Sequence, residues 1–465
     1  MKKWMNEKFM PAIMKFVNTR PMTALKNGML FSLPFLMVGS IFLIFANFPV
    51  EVISKWVSGT MVGDVSLANV FMKAYNATMN LSAMFAVIGI AYAWTEDAGF
   101  AGLPAGLLGL VSMLILNPSS MDVMNASGTK VAAVANDIIV PAWLGGKGMI
   151  TAILVGMFVG GIYTWFLKKN IVIKLPDSVP SNVAQSFTAL IPAAVIIVVV
   201  TLAYALIGLA GQGSLVEMIY KWIQTPLQHA TDGWTGVAII TLLPTFFWAF
   251  GIHGTTIIGG IMGPLLTANA LENAAISGAH KLTTSALTHA VDVNGVSMKA
   301  HIVTQAFMDQ FITVTGTGLT IGLTFYLLFF AKSQQMKIIG RLEIGPALFN
   351  INEPLLFGTP VVLNPLLIVP FIVTPFLAGA ATYLLIQFGI LPPLNGATVP
   401  WTTPAIFSGL VVGGWKFAVW QFIELALTTF LYWPFAARYD KILKAQEDGE
   451  TPAEIEEDMA EGKEA

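Results

Sequence analysis

The sequence predicts an all-α polytopic membrane protein, and three observations carry that prediction. Of 465 residues, 55% are hydrophobic and only 11% charged, where a soluble domain carries roughly 25% charged residues. Mean hydropathy is +0.73, and several apolar runs approach the roughly 20 residues a helix needs to cross a bilayer. The charges are segregated into loops and tails, so a net charge of -2 points to no nucleic-acid partner. The 42 glycines suit close helix packing and broken helices in lipid.

Clear spans are expected at Gly28–Phe48, Leu81–Trp94, Gly102–Leu116, Met149–Leu167, Phe187–Ala210, Phe307–Ala331, Leu366–Phe388 and Leu410–Phe435. Lys2, Lys3, Lys8, Lys15, Arg20 and Lys26 precede the first apolar run, which is long enough to stay as a span rather than act as a cleaved signal. Two regions resist the same reading. Gly236–Leu266 is interrupted by Pro244, Gly251, Gly254, Gly259, Gly260 and Pro264, and Pro346–Pro360 is too short to cross.

Charge placement orders these elements. Basic clusters lie before the first span, at Lys168, Lys169 and Lys174, at Lys332, Lys337 and Arg341, and at Arg438, Lys441 and Lys444. The positive-inside rule puts all four on the cytoplasmic side, so an even number of crossings separates them. Parity then makes the two interrupted regions re-entrant hairpins, one holding His253 and the other Glu353; two half-length crossings in either would keep the same parity. Both termini are expected in the cytoplasm. Ser119–Gly148 is expected outside, Ser214–Thr225 as an interfacial helix, and Gln446–Ala465 as a solvated acidic tail.

The residue that stands out is Glu353, in Asn350-Ile351-Asn352-Glu353-Pro354. A carboxylate at membrane depth is costly, so its default reading is a functional site. The bland alternative is a buried cap. Asn352 beside it offers a donor and an acceptor for hydroxyl recognition; Asn350 is equally a turn residue. His253 sits between Gly251-Ile252 and Gly254, glycines that would let backbone approach a ligand. The histidines at 229, 280, 289 and 301 read as ordinary, and no two share the i,i+4 spacing of a helical metal site. Trp248 and Trp401 are candidates for packing on sugar rings, against the reading of most tryptophans as interfacial anchors. Asp232, Glu272, Lys416 and Glu424 are lone charges with no assigned role. No cysteine occurs, which excludes disulfides, thiolate metal ligands and a cysteine nucleophile on this polypeptide.

At these motifs the chain resembles the membrane component IIC of a bacterial phosphotransferase system (PTS) for sugars, within the lactose/cellobiose/diacetylchitobiose family. The motifs are Ala24–Gly28, Val172–Pro180, Trp248–Gly254, Asn352–Pro360 and Pro400–Thr402, in order along nearly the whole chain. The resemblance implies about ten transmembrane helices with two re-entrant hairpins, where parity gives eight clean crossings. It implies an interface domain over residues 1–210 that builds a homodimer, a transport domain over 211–437 and a cytoplasmic tail over 438–465. A β-linked disaccharide would cross the bacterial inner membrane, with His253 and Glu353 at its 6-hydroxyl, Trp248 and Trp401 against its rings, and Asn352 as a hydrogen-bond partner. The motifs do not discriminate among cellobiose, lactose and diacetylchitobiose.

In such systems the phosphoryl donor is a phosphocysteine on IIB; with no cysteine here, IIB is expected as a separate partner. No cofactor or metal is expected, and no GxxxxGK[ST] occurs. The rival reading is an ion-coupled secondary sugar transporter with Glu353 as the proton site, since broken midplane helices suit it equally. An intramembrane hydrolase is poorer still, for want of a thiol or an acidic dyad.

Overall fold

The computed structural model describes residues 15, 19–48, 51–124, 131–176, 180, 186–211, 213–251, 253–293, 295–359, 361 and 364–450. Lys2, Lys3, Lys8, most of Gln446–Ala465, and parts of the motifs at Val172–Pro180 and Asn352–Pro360 lie outside these residues. The chain is mostly helical, with three short antiparallel hairpins at Met61–Ser66, Ser120–Asn136 and Val291–Met298. Among the described residues, six helices are long and apolar enough to cross a membrane: Arg20–Ala46, Leu67–Glu96, Gly146–Lys168, Ser186–Leu209, Gly254–Ala279 and Pro365–Gln387. Leu103–Leu116 and Trp234–Ala249 are shorter apolar helices.

Three expected elements differ, one of them Leu410–Phe435, where helix stops at Gly413 and resumes at Trp415 across Gly414 at φ 83. Phe307–Ala331 is not one continuous span: regular helix stops at Ile312 and resumes at Ile321. Between them Thr315, Gly316, Gly318 and Leu319 adopt positive φ, and the freed backbone is satisfied by side chains. Thr315 donates its N–H to Asn350 Oδ1 at 2.7 Å, the Thr317 carbonyl accepts from Asn352 Nδ2 at 2.8 Å, and the Gly318 carbonyl from Tyr432 Oη at 2.7 Å. Irregular backbone of this kind survives in an apolar setting only when protein groups satisfy it. In Gly236–Leu266, by contrast, one helix ends at Ala249 and the next runs on from Gly254 through Gly259, Gly260 and Pro264. Glycine and proline cost less in membrane helices than their soluble propensities imply.

The described residues fall into two compact units. The first comprises Met1–Ala230 and Gly260–His301. Helix Ser82–Glu96 is its centre, packed by Arg20–Leu30, Leu103–Leu116 and Met149–Lys168. The crossing with Arg20–Leu30 is tight because glycines face one another. A Cβ on Gly89 would lie 2.3 Å from the Gly28 carbonyl oxygen, and one on Gly28 would lie 2.5 Å from the Ile90 Cα. Small residues let membrane helices approach this closely. Ser214–Thr225 is helical as expected, opened by a reciprocal Ser214–Glu217 capping box.

Glu272, read in the sequence as a lone charge, and His301, read as ordinary, are joined here. Glu272, 1% exposed, accepts from Tyr220 Oη at 3.2 Å, Gln224 Nε2 at 3.2 Å and Gln228 Nε2 at 2.8 Å, and lies 3.4 Å from His301 Nε2. Lys147 is buried over the Trp143 and Tyr220 rings and donates to the Ser297 carbonyl. Glu272 is therefore a hub rather than a lone charge, and His301 is not an ordinary loop histidine. A buried carboxylate needs such partners.

The second unit comprises Thr231–Gly259 and Ile302–Ala465. Trp234–Ala249 packs on Pro365–Gln387, and Ile321–Phe329 packs on both Gln334–Leu348 and Trp415–Glu447. Carboxylates of the last helix cap the start of Gln334–Leu348. Asp440 accepts the N–H groups of Lys332 at 2.7 Å and Ser333 at 2.9 Å, and Glu447 those of Gln334 at 3.0 Å and Gln335 at 3.1 Å. Those amides are the orphan donors of a helix N-terminus, so this end of the helix pair is anchored. Gln334–Leu348 then turns through Phe349–Asn352 into the short helix Glu353–Gly358, which packs back against it.

Candidate functional site

Glu353 opens the second arm of that helix–turn–helix. Pro354 follows at the first turn, where its missing N–H costs nothing and its fixed φ suits a helix start. Asn350 makes the turn at φ 64, a conformation asparagine tolerates better than most residues. Its side chain clamps three strands of backbone: Oδ1 accepts from Thr315, while Nδ2 donates to the carbonyls of Trp401 and Thr403. Of its two readings, the turn residue is the one observed.

Asn352 is 3% exposed, and its amide donates to the Thr317 carbonyl and to Thr320 Oγ1, each at 2.8 Å. Both protons are thus engaged inside the protein, which fits a positioning role better than the sugar contact the motif leads one to expect. Gly316 makes this possible: a Cβ there would lie 2.2 Å from Asn352 Cγ, at φ +93. Gly316→Ala is expected to displace Asn352 and the Glu353 turn, weakening sugar binding at least tenfold in calorimetry, since such a site combines a clash with a strained φ.

His253 stands at the break between Trp234–Ala249 and the helix that begins at Gly254. The glycine after it serves a different purpose from the one its sequence predicts. A Cβ on Gly254 would lie 2.2 Å from the Pro244 carbonyl oxygen, so it permits backbone to meet backbone rather than a ligand. The ring of His253 is oriented by its own helix start. Thr256 donates its N–H to Nδ1 at 3.3 Å, and Thr256 Oγ1 lies 2.9 Å from the same atom. A backbone amide can only donate, so the neutral ring carries its proton on Nε2.

That nitrogen faces Glu353. Nε2 lies 3.9 Å from Oε1, with the side chains 52% and 45% exposed. The gap is too long for a direct hydrogen bond, but a hydroxyl oxygen about 2.8 Å from each would bridge it, accepting from Nε2–H and donating to the carboxylate. Trp248 packs on His253 with ring centroids 4.8 Å apart and on Phe357 at 6.1 Å. Trp248 is 4% exposed and its indole N–H has no hydrogen-bond partner. Trp401 is 56% exposed, in the irregular stretch after Leu391; its backbone carbonyl accepts from Asn350 in the turn.

The structure therefore brings Glu353, His253 and Trp248 together and places Asn352 directly behind them. Sequence reasoning missed Phe357, an exposed ring whose role depends on its contact with Trp248. It also missed Glu343, which lies ten residues before Glu353 with nothing in its spacing to mark it.

The family model described as "Phosphotransferase system, EIIC" matches residues 26–375. The chain is 32% identical to the lichenan permease IIC component of Bacillus subtilis (strain 168), over 98% of each chain. It is 32% identical to the PTS system cellobiose-specific EIIC component of Geobacillus stearothermophilus, over 96% of each. Its structure matches the crystal structure of the transporter ChbC, the IIC component from the N,N'-diacetylchitobiose-specific phosphotransferase system. That match has a TM-score of 0.85 at 32% identity, and covers 96% of this chain and 100% of that one. The resemblance drawn from the five motifs is borne out, and the chain belongs to the EIIC family of the phosphotransferase system, whose members are integral membrane proteins.

Proposed function

We propose that this EIIC protein carries a β-linked disaccharide of the cellobiose or diacetylchitobiose type across the bacterial inner membrane and presents its 6-hydroxyl for phosphorylation by a IIB partner. The observation that carries the site reading is the His253–Glu353 pair, 3.9 Å apart with both side chains accessible. The relatives named for lichenan, cellobiose and diacetylchitobiose support the substrate class.

In the reaction, sugar O6 attacks phosphorus as the bond to the IIB cysteine sulfur breaks, and the thiolate leaves on IIB. The O6 proton passes to the Glu353 carboxylate, within hydrogen-bond reach as a general base requires. His253 Nε2–H holds the same oxygen. Trp248, 4% exposed, packs behind the histidine rather than on the sugar, and Trp401 offers an exposed ring face to the sugar. Asn352 holds the turn. Phosphoryl transfer otherwise depends on positioning. The 465 residues contain no cysteine, so the phosphocysteine lies outside them. The wider arrangement belongs to the same proposal: a homodimer built through the interface domain of residues 1–210, a transport domain over 211–437, cytoplasmic termini, and about eight to ten transmembrane helices with two re-entrant hairpins at His253 and Glu353.

Family membership disfavours the ion-coupled alternative. In proteoliposomes holding phospho-IIB, cellobiose should accumulate as its 6-phosphate. Accumulation of unmodified sugar driven by an ion gradient alone would refute the proposal.

A further inference from the structure

Behind the Glu353 helix lies a second carboxyl group. Glu343, on Gln334–Leu348, is 0% exposed. Its Oε2 accepts the N–H of Leu355 at 3.1 Å, an orphan amide in the first turn of the Glu353 helix that Asn352 does not cap. Its Oε1 is buried with no hydrogen-bond partner. An anion held with one oxygen unsatisfied in an apolar interior is far costlier than a neutral acid.

Among the described residues, no cation acts on Glu343 to offset that cost. Gln334–Leu348 is packed by Ile321–Phe329, Glu353–Gly358 and Trp415–Glu447. Their titratable groups are Tyr326; Glu353; and Lys416, Glu424, Tyr432, Arg438, Tyr439, Asp440, Lys441, Lys444 and Glu447, with Lys337 and Arg341 on the helix itself. Among these, Glu353 is the charge that acts on Glu343. Gln334–Leu348 is not among the candidate spans. Burial pushes the Glu343 carboxyl up to about 8, and the Glu353 charge adds to the rise against the opposing Leu355 amide.

We infer that Glu343 is a positioning residue for Glu353, one that fixes the glutamate helix through the Leu355 amide and, by remaining neutral while Glu353 is charged, keeps this two-carboxyl site at one negative charge as the anionic phosphoryl group approaches. The inference rests on the reading of Glu353 as the proton acceptor. The Glu353 charge opposes ionisation of Glu343. Ionisation of Glu343 above about pH 8 would set a second negative charge against the incoming phosphate and slow the transfer.

The test is the rate of cellobiose phosphorylation by excess phospho-IIB, for the full-length wild type and Glu343→Gln across pH. Glutamine keeps a carbonyl for the Leu355 amide and cannot ionise. Titration of the donor cancels in the ratio of the two rates. That ratio should be near one at about pH 7 and rise toward tenfold at about pH 9, as wild type loses its neutral form. A flat ratio would overturn the inference. Glu353→Gln in the same assay separates the two readings, because a wild-type rate there removes the base assignment whatever Glu343 does.

A second readout needs no Glu343 variant. In difference infrared spectra the protonated-carboxyl band that titrates near pH 8 should shift to lower midpoint when Glu353 is replaced by glutamine. An unmoved midpoint would equally overturn the coupling.

Discussion

Glu353→Gln is expected to lower the single-turnover rate of disaccharide phosphorylation by about 10²–10⁴-fold, the range for loss of a positioned general base. Sugar binding should change far less. The substitution preserves volume, the helix start before Pro354 and a carbonyl able to accept a hydroxyl hydrogen bond. It removes only the capacity to take up the O6 proton. The side chain is 45% exposed, so no core contact is lost. Calorimetry for binding and rapid quench with phospho-IIB for transfer separate the two effects. His253 does not replace the lost base, because its Nδ1 is engaged by Thr256 and its Nε2 carries the proton.

Glu272→Ala should destabilise the first unit by about 3–5 kcal/mol, the cost of breaking a buried charge network by deleting one partner. Three donors, Tyr220 Oη, Gln224 Nε2 and Gln228 Nε2, would lose their shared acceptor, and His301 Nε2 its neighbour. Lys147, 3% exposed, would lose its buried counter-charge and keep the Ser297 carbonyl and two aromatic faces. Glu272→Gln retains an acceptor for two of the contacts and should lose less. Thermal unfolding in detergent, read for both variants beside wild type, checks the order.

Much of the site was legible because lipid makes its chemistry conspicuous. A glutamate followed by proline inside an apolar chain has few bland explanations, and a histidine at a helix break has few more. The two side chains lie 3.9 Å apart. What escaped depended on contacts that no local pattern encodes. Glu272 reads as an isolated acid until Tyr220, Gln224, Gln228 and His301 converge on it from distant segments. Asn352 reads as a ligand donor until Thr317 and Thr320 take both its protons. Glycine and proline misled in both directions. Gly259, Gly260 and Pro264 sit inside a continuous helix, while Gly316 and Gly318 break an otherwise strong apolar run. In each case tertiary packing sets the outcome. Likewise, residues 260–301 join the first compact unit through contacts alone, with no change in composition to mark the crossing.

The most direct measurement is a structure with cellobiose bound. The account predicts the 6-hydroxyl oxygen of one glucose between His253 Nε2 and the Glu353 carboxylate, about 2.6–3.2 Å from each. A sugar bound with that hydroxyl turned away from position 353, or held elsewhere in the chain, would contradict it.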